Sequence, residues 1–274
     1  MARSKDDASS GGTERASPRA VRQRLESLAE AGVLDLPKRG KARPSAPATP
    51  EVSAGKPTVA LPVTPPAAAG PRRGAAGPRE GGVDALAILR AEVEACRACR
   101  HLADARTHTV FGTGNPSARL CFLGEAPGAD EDASGVPFVG RAGQLLTKII
   151  EACSLTRDEV YILNVLKCRP PDNRRPEPAE VANCRGFFER QLEAIGPDFI
   201  CCLGASAAQA LLRTEETIGK LRGRWFEHGK AAVICTYHPS YLLRNPAAKR
   251  DVWDDMKRLM GRMGIDLSGK SPGG

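Results

Sequence analysis

The feature that most constrains the fold is a regular alternation, from about residue 83 onward, of short apolar segments with longer helical patterns. The apolar segments have the composition of buried strands and occupy residues 118–124, 160–168, 198–204 and 231–238. Helical spacing of apolar residues predicts helices at 141–153, 177–195, 205–213 and 246–263. This alternation predicts an α/β fold of three layers, in which helices cover both faces of a central, mostly parallel four-stranded sheet.

Residues 1–82 have a different composition. They are rich in Ala, Pro, Gly and Arg and contain few residues that could form a core, so we expect a disordered tail. Within it, apolar residues at helical spacing predict a short docking helix at 17–34. The folded domain is expected at 83–264, followed by a flexible C-terminus at 265–274. The chain has neither an 18-residue apolar run nor a signal-peptide core, which predicts a cytoplasmic protein with no membrane contact.

The net charge of +8 does not by itself indicate nucleic-acid binding, because residues 1–85 carry 14 Lys/Arg against 9 Asp/Glu. The rest of the chain is therefore only about +3. Local clusters are more informative, because each lies on a loop that follows a predicted strand. They consist of Lys167, Arg169, Arg174 and Arg175; Lys220, Arg222 and Arg224; and Arg244, Lys249 and Arg250. Together they predict a polyanion-binding edge.

Unusual polar residues also follow the predicted strands. An acidic, Gly/Pro-rich loop, GEAPGADEDASGVPFVGRAGQLL at 124–146, follows the first strand, and Asn164 and His238 lie at the ends of two others. Ligands of parallel sheets bind beyond the carboxyl ends of the strands, so these residues are expected to share one cleft. The loop has the outline of a phosphate-binding loop, yet its four carboxylates would repel a phosphate.

Nine cysteines divide by their surroundings. Cys121, Cys153, Cys201, Cys202 and Cys235 lie in apolar segments and are predicted to be core residues. Four others have polar neighbours, and two of them form a C-x2-C pair: Cys96, Cys99, Cys168 and Cys184. A cytoplasmic chain disfavours disulfides, so these four predict a metal site. Their spacing leaves zinc and an iron–sulfur cluster both open.

Four ordered motifs resemble those of family-4 uracil-DNA glycosylases, the iron–sulfur members of the uracil-DNA glycosylase superfamily. They are the loop at 124–146, LNVLKCRPPDNRRP at 163–176, the four-cysteine pattern and HPSYLLR at 238–244. The resemblance covers about residues 85–263. It implies a uracil-DNA glycosylase-like fold and a structural [4Fe–4S] cluster on Cys96, Cys99, Cys168 and Cys184.

The resemblance also implies an activity, which is hydrolysis of the N-glycosidic bond of uracil in DNA during base-excision repair. Such an enzyme extrudes the base into a pocket. Phe138 would stack on uracil, Asn164 would read N3–H and O4, and His238 would donate to O2 as negative charge develops there. The remaining site residues implied are Glu125 and Glu131, which would orient water and stabilise the cationic sugar, and Ala126 and Asn173, which would line the pocket.

Residues for gripping DNA are expected on the same edge. Ser206 would bind a phosphate at a helix start, Lys220, Arg222, Arg224 and Arg244 would contact the backbone, and Tyr241, Leu242 and Leu243 would form an apolar tip that fills the space left by the base. We expect a monomer acting on single- or double-stranded uracil-containing DNA, with a tail that binds another repair or replication protein.

Two alternatives remain open from the sequence. One is a non-catalytic or covalent uracil-DNA-binding member of the superfamily. A related branch has an Arg-rich insert before the cysteine loop, but here Asn164 leads directly to Cys168. The other is a metal-containing hydrolase of small nucleotides, for which the basic clusters would be incidental.

Overall fold

The computed structural model of this protein describes residues 82–269. The predicted tail at 1–82 therefore lies almost entirely outside the described residues, as do the helix predicted at 17–34 and residues 270–274. Within the described part of the chain, no helix is both long and apolar enough to cross a membrane. Packing continues beyond the predicted boundary at residue 264, because Leu267 is buried against the last helix.

A six-stranded sheet lies at the centre of the described domain, with strand order β1-β3-β2-β4-β6-β5. The strands are β1 Thr113–Gly114, β2 Leu120–Gly124, β3 Tyr161–Asn164, β4 Phe199–Leu203, β5 Trp225–His228 and β6 Ala231–Thr236. The four predicted strands are β2, β3, β4 and β6, which are parallel to one another. Two short strands, β1 and β5, add antiparallel edges. The mostly parallel centre of the sheet is thus confirmed, whereas the predicted number of four strands is too small by these two edge strands.

Helices surround this sheet. They are α1 Gly82–Ala95, α2 Arg100–Ala105, α3 Ala129–Ser134, α4 Arg141–Ala152, α5 Pro178–Ile195, α6 Ala205–Leu212, α7 Ile218–Leu221, α8 Pro239–Arg244 and α9 Lys249–Met263. Two 3-10 turns lie at Pro171–Asn173 and Pro246–Ala248. The four helices predicted from spacing correspond to α4, α5, α6 and α9.

The central strands are apolar on both faces because both faces are covered. In β2, Cys121 and Leu123 face a core shared with α1, α5 and α6. Leu120 and Phe122 point the other way, into a core shared with α4 and α9. This period of two is that of a strand whose alternate side chains enter opposite layers. The five cysteines predicted to be core residues are all buried.

The carboxyl ends of the parallel strands meet at one edge of the sheet, and this edge positions the polar residues. Gly124 ends β2 beside Asn164, which ends β3. Gly204 follows β4 with a φ of 90°, in the left-handed region that favours glycine. A Cβ at Gly204 would lie 3.0 Å from Cβ of His238, so the glycine allows α6 to start close to the end of β6.

Candidate active site

A cleft of about 760 Å³ opens at this edge of the sheet. Its volume is within the usual range for small-molecule sites. It brings together ten of the predicted site residues: Glu125, Ala126, Glu131, Phe138, Asn164, Asn173, Ser206, His238, Tyr241 and Arg244. These residues come from five separate segments, which the edge of the sheet and its loops bring to one place.

Asn164 supplies a polar group on the inner wall of the cleft. Its side chain is 1% exposed, and Oδ1 has no hydrogen-bond partner among the described residues. A buried acceptor without a donor costs about 1–3 kcal/mol. Gly124 makes room for it, since a Cβ there would lie 2.3 Å from Asn164 Oδ1 and 2.6 Å from the Phe138 ring. The orphaned acceptor is suited to receive an N–H from a ligand.

His238 lies at the N-cap of α8 with its imidazole facing the cleft. The backbone N–H of Ser240 donates to Nδ1 at 3.2 Å, and the Ser240 hydroxyl lies 2.8 Å from the same atom. Burial, with a smaller contribution from Arg244, lowers the pKa of His238 to about 4. Accepting at Nδ1 places the proton of the neutral ring on Nε2. His238 can therefore act at pH 7 as a neutral N–H donor.

Phe138 covers one side of the cleft, with its ring centroid 5.6 Å from that of His238. Its φ is 55°, which is unusual for a bulky residue and costs on the order of 1 kcal/mol or more. The first turn of α4 accommodates this backbone through Gly143, where a Cβ would lie only 2.0 Å from the Phe138 carbonyl. The surrounding structure therefore imposes the conformation.

The carboxylates of the acidic loop differ in their hydrogen bonding. Glu131 accepts backbone N–H bonds from Gly128 at 2.9 Å, Val139 at 2.9 Å and Gly140 at 3.0 Å. Both of its oxygens hold the loop, and orientation of water by Glu131, which also lines the cleft, stays a prediction. Asp132 is buried and accepts from the Thr107 N–H. The Glu125 carboxylate, by contrast, makes no hydrogen bond or ion pair within residues 82–269, and it lines the cleft.

The rim of the cleft carries groups suited to a DNA backbone. Ser206 lies in the first turn of α6, and Arg175 Nη2 donates to its hydroxyl at 3.3 Å. Tyr241 and Leu243 are 38% and 40% exposed. Leu242, which was expected to share their apolar tip, is 1% exposed and packs into the core under α9. Neighbouring residues on a helix face different directions, so α8 places only Tyr241 and Leu243 outward.

Other basic residues expected at this rim are engaged elsewhere. Arg222 donates to the buried Asp255 carboxylate at 3.2 Å and to the Asp251 carbonyl at 2.6 Å. Arg224 donates to Glu216 at 3.0 Å and to the carbonyl of Lys220 at 3.2 Å. None of Lys220, Arg222 and Arg224 lines the cleft.

Lys167 was also counted among the basic residues of the polyanion-binding edge. It is 1% exposed, and its Nζ donates to the carbonyls of Asn164 and Phe111. It is therefore a buried support for the end of β3.

The four polar-context cysteines lie near one another: burial raises the pKa of the Cys168 thiol, and Cys96 and Cys99 both add to that rise. Cys96 follows α1, Cys99 precedes α2, Cys168 follows β3, and Cys184 lies in the second turn of α5. Burial raises the pKa of Cys184 to about 11, and Cys168 and Cys99 add to the rise. Cys168 Sγ accepts from Arg106 at 3.0 Å and Cys99 Sγ from Asn183 at 3.3 Å. N–H donors thus reach two of the four sulfurs, an arrangement that is common around thiolate ligands of metals.

A second network ties the cysteine segments together. Glu180, 1% exposed, accepts from both terminal nitrogens of Arg174 at 2.9 and 2.7 Å. His101 Nε2 lies 2.7 Å from the same carboxylate. Chiefly through Arg174, these bonds lower the pKa of Glu180 to about 2. Arg174 belongs to the loop of Cys168, and His101 follows Cys99. Glu180 itself precedes Cys184 on α5. One carboxylate therefore joins three of the chain segments that carry the four cysteines.

Asn173 lines the cleft as expected, and its Oδ1 accepts from Arg169 at 2.8 Å.

Three residues that support the site were not predicted from the sequence: Ser240, Arg106 and Glu180. Ser240, which orients His238, lies only two positions after it in the motif HPSYLLR, so this short-range pairing is open to prediction from the sequence. Arg106 and Glu180 carry no such local signal.

Comparison with known proteins agrees with this geometry. The model of the uracil DNA glycosylase superfamily matches residues 111–257. The type-4 uracil-DNA glycosylase of Archaeoglobus fulgidus is 43% identical over 185 residues, covering 65% of this chain and 92% of that protein. The corresponding enzyme of Thermotoga maritima is 45% identical over 180 residues, or 63% and 92%. A type-5 enzyme of Pyrobaculum aerophilum is 33% identical over 150 residues, or 47% and 64%. The chain belongs to the uracil DNA glycosylase superfamily, and within it to the type-4 uracil-DNA glycosylases.

Proposed function

We propose that this protein is a DNA-repair glycosylase that hydrolyses the N-glycosidic bond of uracil in DNA, releasing uracil and leaving an abasic site. The observation that carries the proposal is the buried Asn164 Oδ1, which lacks a partner and shares a cleft with Phe138 and His238. The names of the similar type-4 enzymes support the same substrate.

Recognition of uracil follows from the chemistry of the Asn164 amide. Its Oδ1 would accept from uracil N3–H, and its amide nitrogen would donate to O4. Cytosine has an unprotonated N3 and an amino group at these positions, so it would leave the buried amide mispaired. Sites built on hydrogen bonds reject such partners strongly. The Phe138 ring would stack on the extruded base, which is the usual way an aromatic side chain holds a flipped nucleotide.

Cleavage requires stabilisation of two developing charges. As the bond between C1′ and N1 breaks, its electron pair leaves with uracil and negative charge develops on O2. The Nε2–H of His238 would donate to this oxygen, and a positioned donor of this kind is worth a factor of about 10² to 10³ in rate. The unpaired Glu125 carboxylate would stabilise the cationic sugar and orient the water whose oxygen bonds to C1′. Ala126 lines the space beside it.

The rim would hold the DNA backbone around the extruded nucleotide. Ser206, in the first turn of α6, and the neighbouring Arg175 offer hydrogen-bond donors for a phosphate. Exposed Tyr241 and Leu243 would occupy the gap left in the stack, and Arg244 would contact the backbone beside it.

We infer that Cys96, Cys99, Cys168 and Cys184 hold a [4Fe–4S] cluster. No three cysteine sulfurs between residues 82 and 269 lie within 4.8 Å of one another. A zinc ion with Zn–S distances of about 2.3 Å would need the sulfurs roughly 3.8 Å apart, and the resemblance to family-4 uracil-DNA glycosylases, the iron–sulfur members of the superfamily, supports the cluster over zinc. When bound, the cluster would supply a structural cross-link between α1, α2, the Cys168 loop and α5. Four cysteines that ligate a cluster and five that are buried in the core would suit a cytoplasmic location, where thiols stay reduced.

The direct test uses oligonucleotides that differ at one base. Wild-type protein is incubated with strands carrying a single uracil, thymine or cytosine, alone and in duplex form. Released base and alkali-labile sites are then measured. We expect free uracil and an abasic site from the uracil strand only. Binding without release of uracil would indicate a non-catalytic binder, and release from free deoxyuridine nucleotides that undamaged DNA does not inhibit would indicate a small-nucleotide hydrolase.

A further inference from the structure

Arg157, in the loop between α4 and β3, contacts the backbone that carries Phe138. Its Nη2 donates to the Pro137 carbonyl at 2.9 Å, and its Nη1 to the Phe138 carbonyl at 3.2 Å. Nη1 also donates to the Thr147 hydroxyl at 3.1 Å, which anchors the guanidinium to α4. The two terminal nitrogens of the planar guanidinium fork therefore hold the carbonyl groups of two successive residues.

The N–H groups that follow Phe138 are held from the other side. Glu131 accepts from Val139 and Gly140, so a carboxylate and a guanidinium bracket the Phe138 backbone. Between them the residue keeps a φ of 55°. A strained conformation persists only where several contacts determine it together, and these charged side chains supply such contacts.

The environment of Arg157 favours this role over an ordinary structural ion pair. The residue is half-buried, and burial lowers its pKa, opposed by nearby Asp158. Within residues 82–269, no carboxylate oxygen lies within 4.0 Å of its side-chain nitrogens. The fork thus gives its hydrogen bonds to the loop and to α4. A lysine, with one point-like ammonium, could not hold two carbonyls in the same way.

We propose that Arg157 is a positioning residue that holds the Phe138 ring as the stacking platform of the cleft. The proposal rests on the proposed uracil-DNA glycosylase activity, because the platform acts on an extruded base. It assigns a part in base binding to a residue that does not line the cleft and that hydrogen-bonds the carbonyls of Pro137 and Phe138 instead. Loss of the fork would free Phe138 to relax towards ordinary backbone angles and would tilt its ring.

A double-mutant cycle tests this coupling. Arg157→Met, Phe138→Ala and the double variant are compared in single-turnover cleavage of uracil-containing DNA and in inhibition by free uracil. The Arg157→Met change should slow cleavage by on the order of tenfold to a hundredfold. It should also raise the inhibition constant of uracil by about tenfold. In the Phe138→Ala background the same change should cost less than about twofold.

Arg119→Met is the matched control, because Arg119 pairs with Asp198 at the opposite end of β2; it should leave both readouts unchanged. Arg157→Lys provides a second variant in case Arg157→Met does not fold, and it should show a smaller loss with the same dependence on Phe138. Losses that multiply fully in the double variant, with an active wild type, would overturn the role of Arg157 alone. A wild type that releases no uracil would overturn the proposed function itself.

Discussion

The backbone N–H of Ser240 donates to Nδ1 of His238 over 3.2 Å, and this bond directs the only proton of the neutral ring to Nε2. The histidine at the end of β6 is thereby set as a donor towards the cleft before any substrate enters. A donor that is already oriented needs no reorganisation when charge develops.

Removing this donor should affect cleavage more than binding. His238→Ala is expected to lower the single-turnover rate by about a hundredfold to a thousandfold, the scale of one lost donor at a developing oxyanion. Affinity for uracil-containing DNA should change little, because neutral O2 needs the donor less than the anion does. His228→Ala, on β5 and away from the cleft, is the control. A loss confined to affinity would mean that His238 only shapes the binding surface.

The ionisation of His238 gives a second prediction. Burial lowers the pKa from 6.5 to about 4, so the unfolded chain binds the proton first as the pH falls. Above pH 6.5 the ring is neutral in both states and does not affect the free energy of unfolding. Between pH 6.5 and 4 the ring is protonated only in the unfolded chain, so the free energy of unfolding should fall progressively as the pH is lowered. Ring resonances followed by NMR, assigned with His238→Gln, should titrate near pH 4. A midpoint near 6.5 would contradict the buried neutral donor.

The two arginines Arg244 and Arg222 should separate DNA contact from folding. Arg244→Ala should weaken binding of uracil-containing and undamaged DNA alike and flatten the salt dependence by about 0.9 per lost phosphate contact. Arg222→Ala should leave the salt slope unchanged and lower the melting temperature, because it leaves the buried Asp255 carboxylate without its charged partner. A flatter salt dependence of DNA binding for Arg222→Ala would mean that Arg222 does contact the DNA backbone.

The cysteine site should bind iron. Purified anaerobically, the protein should be brown and contain about four irons per chain. Cys168→Ala should lose iron and melt at a lower temperature, since metal binding contributes to folding free energy. Cys121→Ala removes a buried thiol outside the site and should retain the iron. A colourless, active, zinc-containing wild type would contradict the cluster.

Features that depend on neighbouring residues in the chain could be predicted from the sequence, and contacts between distant residues could not. The parallel strands and four helices follow from periodicity, and strand ends located Asn164 and His238 correctly at one edge. The partners of Arg222 and Glu131 could not be read in this way. Arg222 meets Asp255 33 residues later, and Glu131 closes on N–H groups eight and nine residues ahead. No repeating pattern in the sequence predicts either pairing, because the folding of the loops brings these groups together and local propensity does not.

Base reading by Asn164 is the central claim, and Asn164→Asp tests it most directly. A carboxylate facing uracil O4 would replace a donor with an acceptor and oppose the anionic leaving group. Asn115→Asp is the matched control, because Asn115 lies before β2, at the end of the sheet opposite the cleft, and its Oδ1 accepts from the Ser117 N–H at 2.8 Å, a bond that an aspartate keeps. Single-turnover cleavage of uracil-containing DNA is measured for both variants, with melting temperature as a check of folding. We predict that Asn164→Asp loses most of the cleavage activity in a folded protein while Asn115→Asp stays fully active. A folded Asn164→Asp protein that still cleaves uracil at the wild-type rate would contradict it.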